Sequence, residues 1–294
     1  MLLTLTIVCR PDAASASGLA EKAPGGVGKP KDLGGTNWSA SERTIDPSAQ
    51  GDLVEYVEAA CAAAAADWAI TPDRDRRKRL LISDMDSTII GQECLDELAD
   101  FAGLKAQVSA ITERAMRGEL NFESALTTRV AMLKGLKLSA LDDCYASRVS
   151  LNPGARTLVA TMKASGARCV LVSGGFNFFT SRVAAACGFD ADRANELLDD
   201  GSALTGEVLQ PILGREAKLA ALIEESRALG LGPESALAMG DGANDLAMIK
   251  AAGLGVAYRA KPIVAAETMA RIEHTDLTAA LFFQGFSEDE FVSG

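Results

Sequence analysis

The sequence predicts an α/β fold: a Rossmann-like parallel sheet, a helical cap inserted after its first strand, and a small α+β domain in front. Three observations carry this reading. From Arg79 onward, short apolar runs alternate with helical patterns, which signals a parallel sheet wrapped by helices. The stretch from Ile89 to about Leu151 reads as helix throughout. Residues 1–75 differ in composition from everything after them. With 294 residues there is room for one full domain and an appendage. The expected division is 1–75 and 76–294, with the cap at about 89–151.

Met1 to Val8 alternates like a strand, with Leu3, Leu5 and Ile7 on one face. Ala14 to Gly51 is rich in Gly, Ser, Pro and Lys and reads as loops. Asp52 to Asp67 reads as an alanine-built helix, with Leu53, Tyr56, Val57 and Ala60 at helical spacing. The charged run Asp73 to Arg79 then reads as a solvated linker or the lead-in to a strand. Core strands are expected at 80–82, 169–172, 236–239 and 254–257, and helices at 154–164, 178–186, 215–228 and 244–251. Right-handed crossovers should set these units side by side. Helices at 94–101, 107–117, 122–133 and 140–149 fill the insertion. Following the first strand directly, it cannot join the sheet, and it belongs above the carboxyl ends of the strands, where open α/β sheets bind ligands.

Composition removes several chemistries. The net charge of -11 is scattered in both signs, without the basic block that a phosphate backbone attracts, so no nucleic-acid partner is expected. The cysteines (Cys9, Cys61, Cys94, Cys144, Cys169, Cys187) form no C-x-x-C pair and have no neighbouring histidine, so they read as buried apolar residues. Nothing resembles a secretory signal, and no apolar run is long enough to span a bilayer. A soluble cytoplasmic protein with no membrane partner is the expectation. His274 is the sole histidine and lies far from any obvious nucleophile, which argues against Ser-His-Asp and Cys-His hydrolases. Neither a P-loop nor a G-x-G-x-x-G occurs.

Each of the first three core strands ends in a polar cluster: Ser83-Asp84-Met85-Asp86-Ser87-Thr88, Ser173-Gly174-Gly175-Phe176 and Gly240-Asp241-Gly242-Ala243-Asn244-Asp245. Strand geometry brings all three to one edge. Taken alone, Asp84-x-Asp86 is more often a capped turn than a site. A calcium loop is ruled out, because Ile89 stands where glycine is needed and Leu95 where the last glutamate is needed. Leu246 breaks the same pattern counted from Asp241. The carboxylates of Asp84, Asp241 and Asp245 offer the hard oxygens that magnesium prefers. An anionic nucleophile is repelled by a phosphate, and a cation bridging the two reverses this. Lys218, at a helix start, offers a second positive charge. Ser173 with the N–H groups of Gly174 and Gly175 makes a turn able to wrap phosphate oxygens. Alone, the lysine reads as an exposed helix residue and Ser-Gly-Gly as a plain turn.

Asp84-x-Asp86-x-Thr88, Ser173 after an apolar strand, Lys218, and Gly240-Asp241-Gly242-x-Asn244-Asp245 resemble, in order and spacing, the four motifs of the haloacid dehalogenase superfamily. Within it, these motifs together with Glu93, Asn121-Phe122 and Arg129-Val130 resemble the phosphoserine phosphatase family, over about Arg77 to Phe283. The resemblance implies a magnesium enzyme of serine biosynthesis that forms an aspartyl phosphate. Asp84 would be the nucleophile and Asp86 the acid and base. Mg2+ would rest on Asp84, Asp86 (through its carbonyl) and Asp241. Ser173, Gly174, Lys218 and Asn244 would bind the phosphoryl group. Glu93 would meet the substrate ammonium, Arg129 its carboxylate, and Phe122 would close the lid. Without the motifs these last three would read as helix charges and a core phenylalanine. Related bacterial enzymes often carry an ACT-like βαββαβ unit in front. Here the loop-rich 14–51 favours a degenerate packing or dimerisation module, which leaves room for a homodimer. The competing readings are a phosphatase of the same superfamily for another small phosphate ester, and a non-catalytic amino-acid sensor.

Overall fold

The computed structural model describes residues 1–12, 15–116 and 119–294. The expected start of the loop-rich stretch at Ala14 and the expected end of a cap helix at Arg117 lie outside the described residues.

The N-terminal stretch folds as β1 (Leu3–Cys9), α1 (Ala16–Glu21), β2 (Gly26–Gly34), β3 (Ser39–Ile45), α2 (Gln50–Ala63) and β4 (Ala66–Pro72). The expectation of loops across 14–51 therefore fails. β3 is anchored by buried Ala40 and Ile45 and pairs antiparallel with β1 along its whole length. β2 is the outer edge strand, where Pro30, exposed lysines and breaks of register are tolerated because one side needs no partner. Its composition hides the strand. α2 also stops earlier than alanine content suggests. The chain turns through Ala65 at φ 48° and enters β4, whose first six residues are all buried, so no alternation marks it.

The charged run 73–79 leads into the strand that starts at Leu80, as expected, and is mostly exposed, but two of its side chains form a seam. Arg76 pairs with Glu42 and donates to Thr6 Oγ1 at 3.1 Å and to the Phe283 carbonyl at 3.2 Å. Lys78 is buried and donates to the carbonyls of Asp75 and Glu234 at 2.9 and 3.0 Å.

The second part begins with β5 (Leu80–Ser83), followed by the cap helices α3 (Cys94–Phe101), α4 (Lys105–Met116), α5 (Phe122–Ala131) and α6 (Ser139–Arg148). The chain re-enters the core through α7 (Ala155–Ala164), β6 (Arg168–Phe176), α8 (Asn177–Cys187) and β7 (Ala191–Asn195). A hairpin, β8 (Leu197–Asp199) and β9 (Leu204–Val208), leads to α9 (Arg215–Ala228). β10 (Ala236–Gly240), α10 (Leu246–Ala251), β11 (Leu254–Tyr258), α11 (Pro262–Ala265), β12 (Ala270–Ile272) and α12 (Ala279–Phe282) complete it. The hairpin braces the cap from below: Gly135 and Leu138 donate to the carbonyls of Leu204 and Ser202.

One ten-stranded sheet runs β2-β3-β1-β4-β12-β11-β10-β5-β6-β7. The strands from β12 to β7 are parallel, and β4 joins β12 antiparallel, so the N-terminal strands extend the core sheet. The units do not lie side by side in chain order. The chain leaves β5 toward β6 and β7, then crosses back to put β10 on the other flank of β5. That reversal is a topological switch point, where a crevice opens at the carboxyl ends of β5 and β10.

Candidate functional site

The tight turn after β5 presents two carboxylates. Asp84 keeps the sheet register by donating its N–H to the Met239 carbonyl at 3.0 Å, and its Oδ1 accepts the Met85 N–H at 2.7 Å. The chain then doubles back through Ser87 in the left-handed region, φ 53°, which brings the Ser87 hydroxyl onto Glu93 Oε1 at 2.7 Å. Asp86 turns its two oxygens to different donors: Oδ1 accepts the Cys94 N–H at 2.8 Å and Oδ2 the Ser173 hydroxyl at 3.1 Å. Asp86 and the Ser173-Gly174-Gly175 turn are thus tied directly to each other.

Ser173 Oγ also accepts the Gly175 N–H at 2.8 Å. Glycine leaves room in this turn for its neighbours. A Cβ at Gly174 would meet the Phe122 ring at 2.8 Å, and one at Gly175 would meet Asp86 Oδ2 and Ser173 Oγ at 3.0 Å. Phe122, the first residue of α5, therefore sits directly over the turn, with the Asn121 side chain capping its helix by accepting the Ser124 N–H.

Lys218, in the first turn of α9, is fully buried beneath the strand ends and is not the exposed helix lysine of the simpler reading. It stands 2.7 Å from Asp84 Oδ2 and 2.6 Å from Asp245 Oδ1. Asp245 Oδ2 in turn accepts the Gly242 N–H at 3.1 Å. Burial pushes the Asp84 carboxyl well above its ordinary range, with Asp245 and Asp241 adding to the rise and Lys218 opposing it. Burial also raises Asp241, to about 7, again with Asp245 contributing. Burial works against the Lys218 ammonium, but Asp245 and Asp84 together hold it above the usual lysine range.

Two of the buried carboxylates, Asp84 and Asp245, share one ammonium, and one oxygen from each of Asp84, Asp241 and Asp245 lies within 4.8 Å of the others. This surplus of negative charge, in hard oxygen atoms, fits a divalent cation such as magnesium. Asp245 is fully buried and does not line the cavity, so it shapes the cluster while Asp84 and Asp241 face the cavity.

That cavity, about 800 Å³, lies between sheet and cap. Asp84, Asp86, Glu93, Phe122, Arg129, Ser173, Gly174, Asp241 and Asn244 all line it, so these motif residues converge on one space, with Lys218 beneath Asp84. Glu93 precedes α3. Burial pushes its carboxyl up to about 8, with Asp86 adding. Arg129, near the end of α5, is buried. It donates from Nε to the Ala125 carbonyl at 3.2 Å and from Nη1 to Thr112 Oγ1 at 2.8 Å.

Sequence reasoning missed Asn195. Its Nδ2 donates to the carbonyls of Gly174 and Leu213, at 2.9 and 3.2 Å, and its Oδ1 accepts the Leu213 N–H at 2.6 Å. It therefore ties the phosphate turn to the segment 212–214, and both line the cavity. A polar residue ending a parallel strand, as at the other three clusters, was the available signal.

A model of the haloacid dehalogenase-like hydrolases matches residues 81–250, a span that holds all four motifs. A phosphoserine phosphatase from Polaromonas sp. is 48% identical over 208 residues, covering 69% of this chain and 88% of that one. Of solved structures, a HAD family hydrolase from Salmonella enterica serovar Typhi matches with a TM-score of 0.86 and 28% identity, over 98% of this chain and 99% of that one. A phosphoserine phosphatase captured as a phospho-aspartyl intermediate analogue matches with a TM-score of 0.67 and 36% identity, over 70% of this chain and 99% of that one. With the motif residues gathered in one cavity and these matches spanning them, the chain belongs to the haloacid dehalogenase-like hydrolases, on the branch of the phosphoserine phosphatases.

Proposed function

We propose that the chain hydrolyses O-phospho-L-serine to L-serine and phosphate, the last step of serine biosynthesis, through an aspartyl phosphate on Asp84. One observation supports this most: Asp84, paired with buried Lys218, opens into the same cavity as Glu93 and Arg129. A carboxylate and a guanidinium on the cap, facing a phosphate site on the sheet, complement the ammonium and carboxylate of an amino-acid phosphate.

In the first step an Asp84 oxygen attacks phosphorus while the bond to the serine oxygen breaks. Asp86 donates its proton to that departing oxygen. Burial raises the Asp86 carboxyl above its ordinary range, although hydrogen bonds from Cys94 and Ser173 oppose the rise, which suits a group that starts protonated. In the second step the Asp86 carboxylate takes a proton from the water that attacks phosphorus, releasing phosphate and restoring Asp84. Lys218, Ser173, the Gly174 turn and Asn244 hold the phosphoryl oxygens throughout.

The carboxylates of Asp84 and Asp241 and the backbone carbonyl of Asp86 would hold Mg2+. Bound there, it supplies positive charge that offsets the repulsion between carboxylate and phosphate. Phe122, already over Gly174, would keep bulk water from the phosphoryl group. We read residues 1–75 as a packing extension of the sheet, because Asp67 on β4 accepts the N–H groups of Glu273, His274 and Thr275.

The test is phosphate release from L-phosphoserine with and without magnesium, beside a panel of small phosphate esters. A magnesium-dependent preference for phosphoserine is expected. Magnesium-dependent release from a different ester would keep the mechanism and discard the substrate.

A further inference from the structure

The cap holds a polar cluster that the reaction itself does not use. Asp96 on α3, buried in the cap, accepts hydroxyl hydrogen bonds from two residues of α4: Ser109 at 2.6 Å and Thr112 at 2.8 Å. Thr112 is 5% exposed and lines the cavity. Its oxygen is also the acceptor for Arg129 Nη1 from α5. Three helices are thus joined through one chain of hydrogen bonds, Arg129 to Thr112 to Asp96, inside an otherwise apolar layer that includes Leu95, Val108 and Leu126.

We propose that Thr112 and Asp96 are positioning residues that set substrate specificity by holding Arg129 at a fixed distance from Glu93. The inference rests on the reading of the substrate as an amino-acid phosphate. A buried guanidinium is costly unless its N–H groups and charge are met. Asp96 meets the charge without touching it: burial works against the Arg129 cation, and Asp96 is the first group to offset this, ahead of Glu93 and Asp86. With the hydroxyl of Thr112 interposed, Arg129 is held in place with no direct ion pair among the described residues, so it stays available to a carboxylate entering the cavity.

The cluster also fixes a length. Glu93 precedes α3 and Asp96 lies three residues on, in its first turn. Arg129 is bound to that same turn through Thr112. Glu93 and Arg129 are therefore referred to the same helix turn. The cap then measures the separation of an ammonium from a carboxylate on one carbon, and the sheet supplies chemistry that is indifferent to either.

The experiment compares Thr112→Val and Thr112→Ser on two substrates that differ only in the carboxylate, L-phosphoserine and phosphoethanolamine. Valine keeps the shape and removes the hydroxyl; serine restores it. Thr112→Val should raise KM for phosphoserine about tenfold or more, the usual effect of losing a hydrogen bond to a charged group. It should leave kcat and all constants for phosphoethanolamine within about twofold, and Thr112→Ser should recover wild-type KM. Equal losses on both substrates, or no change on phosphoserine, would overturn the inference. Should wild type fail to prefer phosphoserine over phosphoethanolamine, the substrate reading itself falls instead. Asp96→Asn, which keeps an acceptor for Thr112 but removes the charge, should move phosphoserine KM in the same direction with the fold retained by circular dichroism.

Discussion

Lys218 and Asp84 form an ion pair 2.7 Å long in which neither side chain reaches solvent to any extent, at 1% and 7% exposure. Buried pairs gain little net stability over apolar packing, but removing one partner strands the other. Here Asp245 would be stranded too, 2.6 Å from the same ammonium. The arrangement holds Asp84, the proposed nucleophile, between Lys218 and the turn, and keeps positive charge beside it. Lys218→Ala should lower kcat by about 10²–10³, the usual loss of one such electrostatic contact. It should also make folding lean on the cation: added magnesium should raise the melting temperature of the variant more than that of wild type. Equal magnesium shifts would mean that the carboxylate cluster is not where the ion binds.

Asp84→Asn removes the proposed nucleophile and keeps its shape. Turnover and covalent phosphate labelling should both vanish. Because burial with Asp245 and Asp241 disfavours an ionised Asp84 by more than Lys218 favours it, and Lys218 keeps Asp245 as a partner, the variant should melt no lower than wild type in metal-free buffer. Near-normal activity would refute the assignment, and a variant that failed to fold would show that the Lys218 pair holds the core together.

Glu93 gives the pH prediction. Burial, with Asp86 adding, moves its carboxyl from the usual 4.5 to about 8, so in the empty site it is protonated at neutral pH. Pairing with an ammonium requires the ionised form. KM for L-phosphoserine should therefore fall as pH rises through about 8, and an ester lacking the ammonium should show no such step. Stability moves the other way. The folded value lies above the unfolded one, so the contribution is whole below about 4.5 and is lost as pH climbs through about 8. Glu93→Gln, which imitates the protonated form, should gain in melting temperature over wild type across that interval. A difference independent of pH would show Glu93 ionised throughout.

Arg129→Ala tests the other end of the substrate. Removing one partner of a buried charged contact typically costs about 2–5 kcal/mol, or some two orders of magnitude in kcat/KM. That loss should fall on phosphoserine and largely spare a small artificial phosphate ester. Equal losses would mean that Arg129 supports the cap without reading a carboxylate.

How far the sequence speaks for itself depends on the kind of signal. The four core strands at 80–82, 169–172, 236–239 and 254–257 were legible because parallel strands buried on both faces are near-continuous apolar runs. So were the residues at their ends, since motif spacing and strand geometry agree. β2 and β3 were not: an edge strand with glycines and Pro30 has the composition of a loop, and only pairing with β1 reveals it. β4 and α2 merged because alanine carries no helical face that ends. The order β11-β10-β5-β6 was illegible for another reason, as nothing local says on which side of β5 the chain will return. Thr112, Asp96 and Asn195 lie outside any motif, and their roles exist only as contacts between elements distant in sequence.

Asn195 is the sharpest case. It ends β7, is 3% exposed, and satisfies three hydrogen bonds across two segments, to Gly174 and to both polar groups of Leu213. Losing them costs on the order of 3 kcal/mol if each is worth about 1. Asn195→Ala should therefore lower the melting temperature, and it should also loosen the Gly174 carbonyl beside Ser173 and the 212–214 segment together. In the proposed mechanism the chemical step depends on that turn whatever the substrate carries. The variant should thus lose kcat in similar proportion on phosphoserine and on an ester with neither ammonium nor carboxylate, the reverse of the pattern expected for Arg129→Ala. A stability loss with kcat unchanged on both would reduce Asn195 to a structural clasp; selective damage to phosphoserine would place its influence on the cap instead of the phosphate turn.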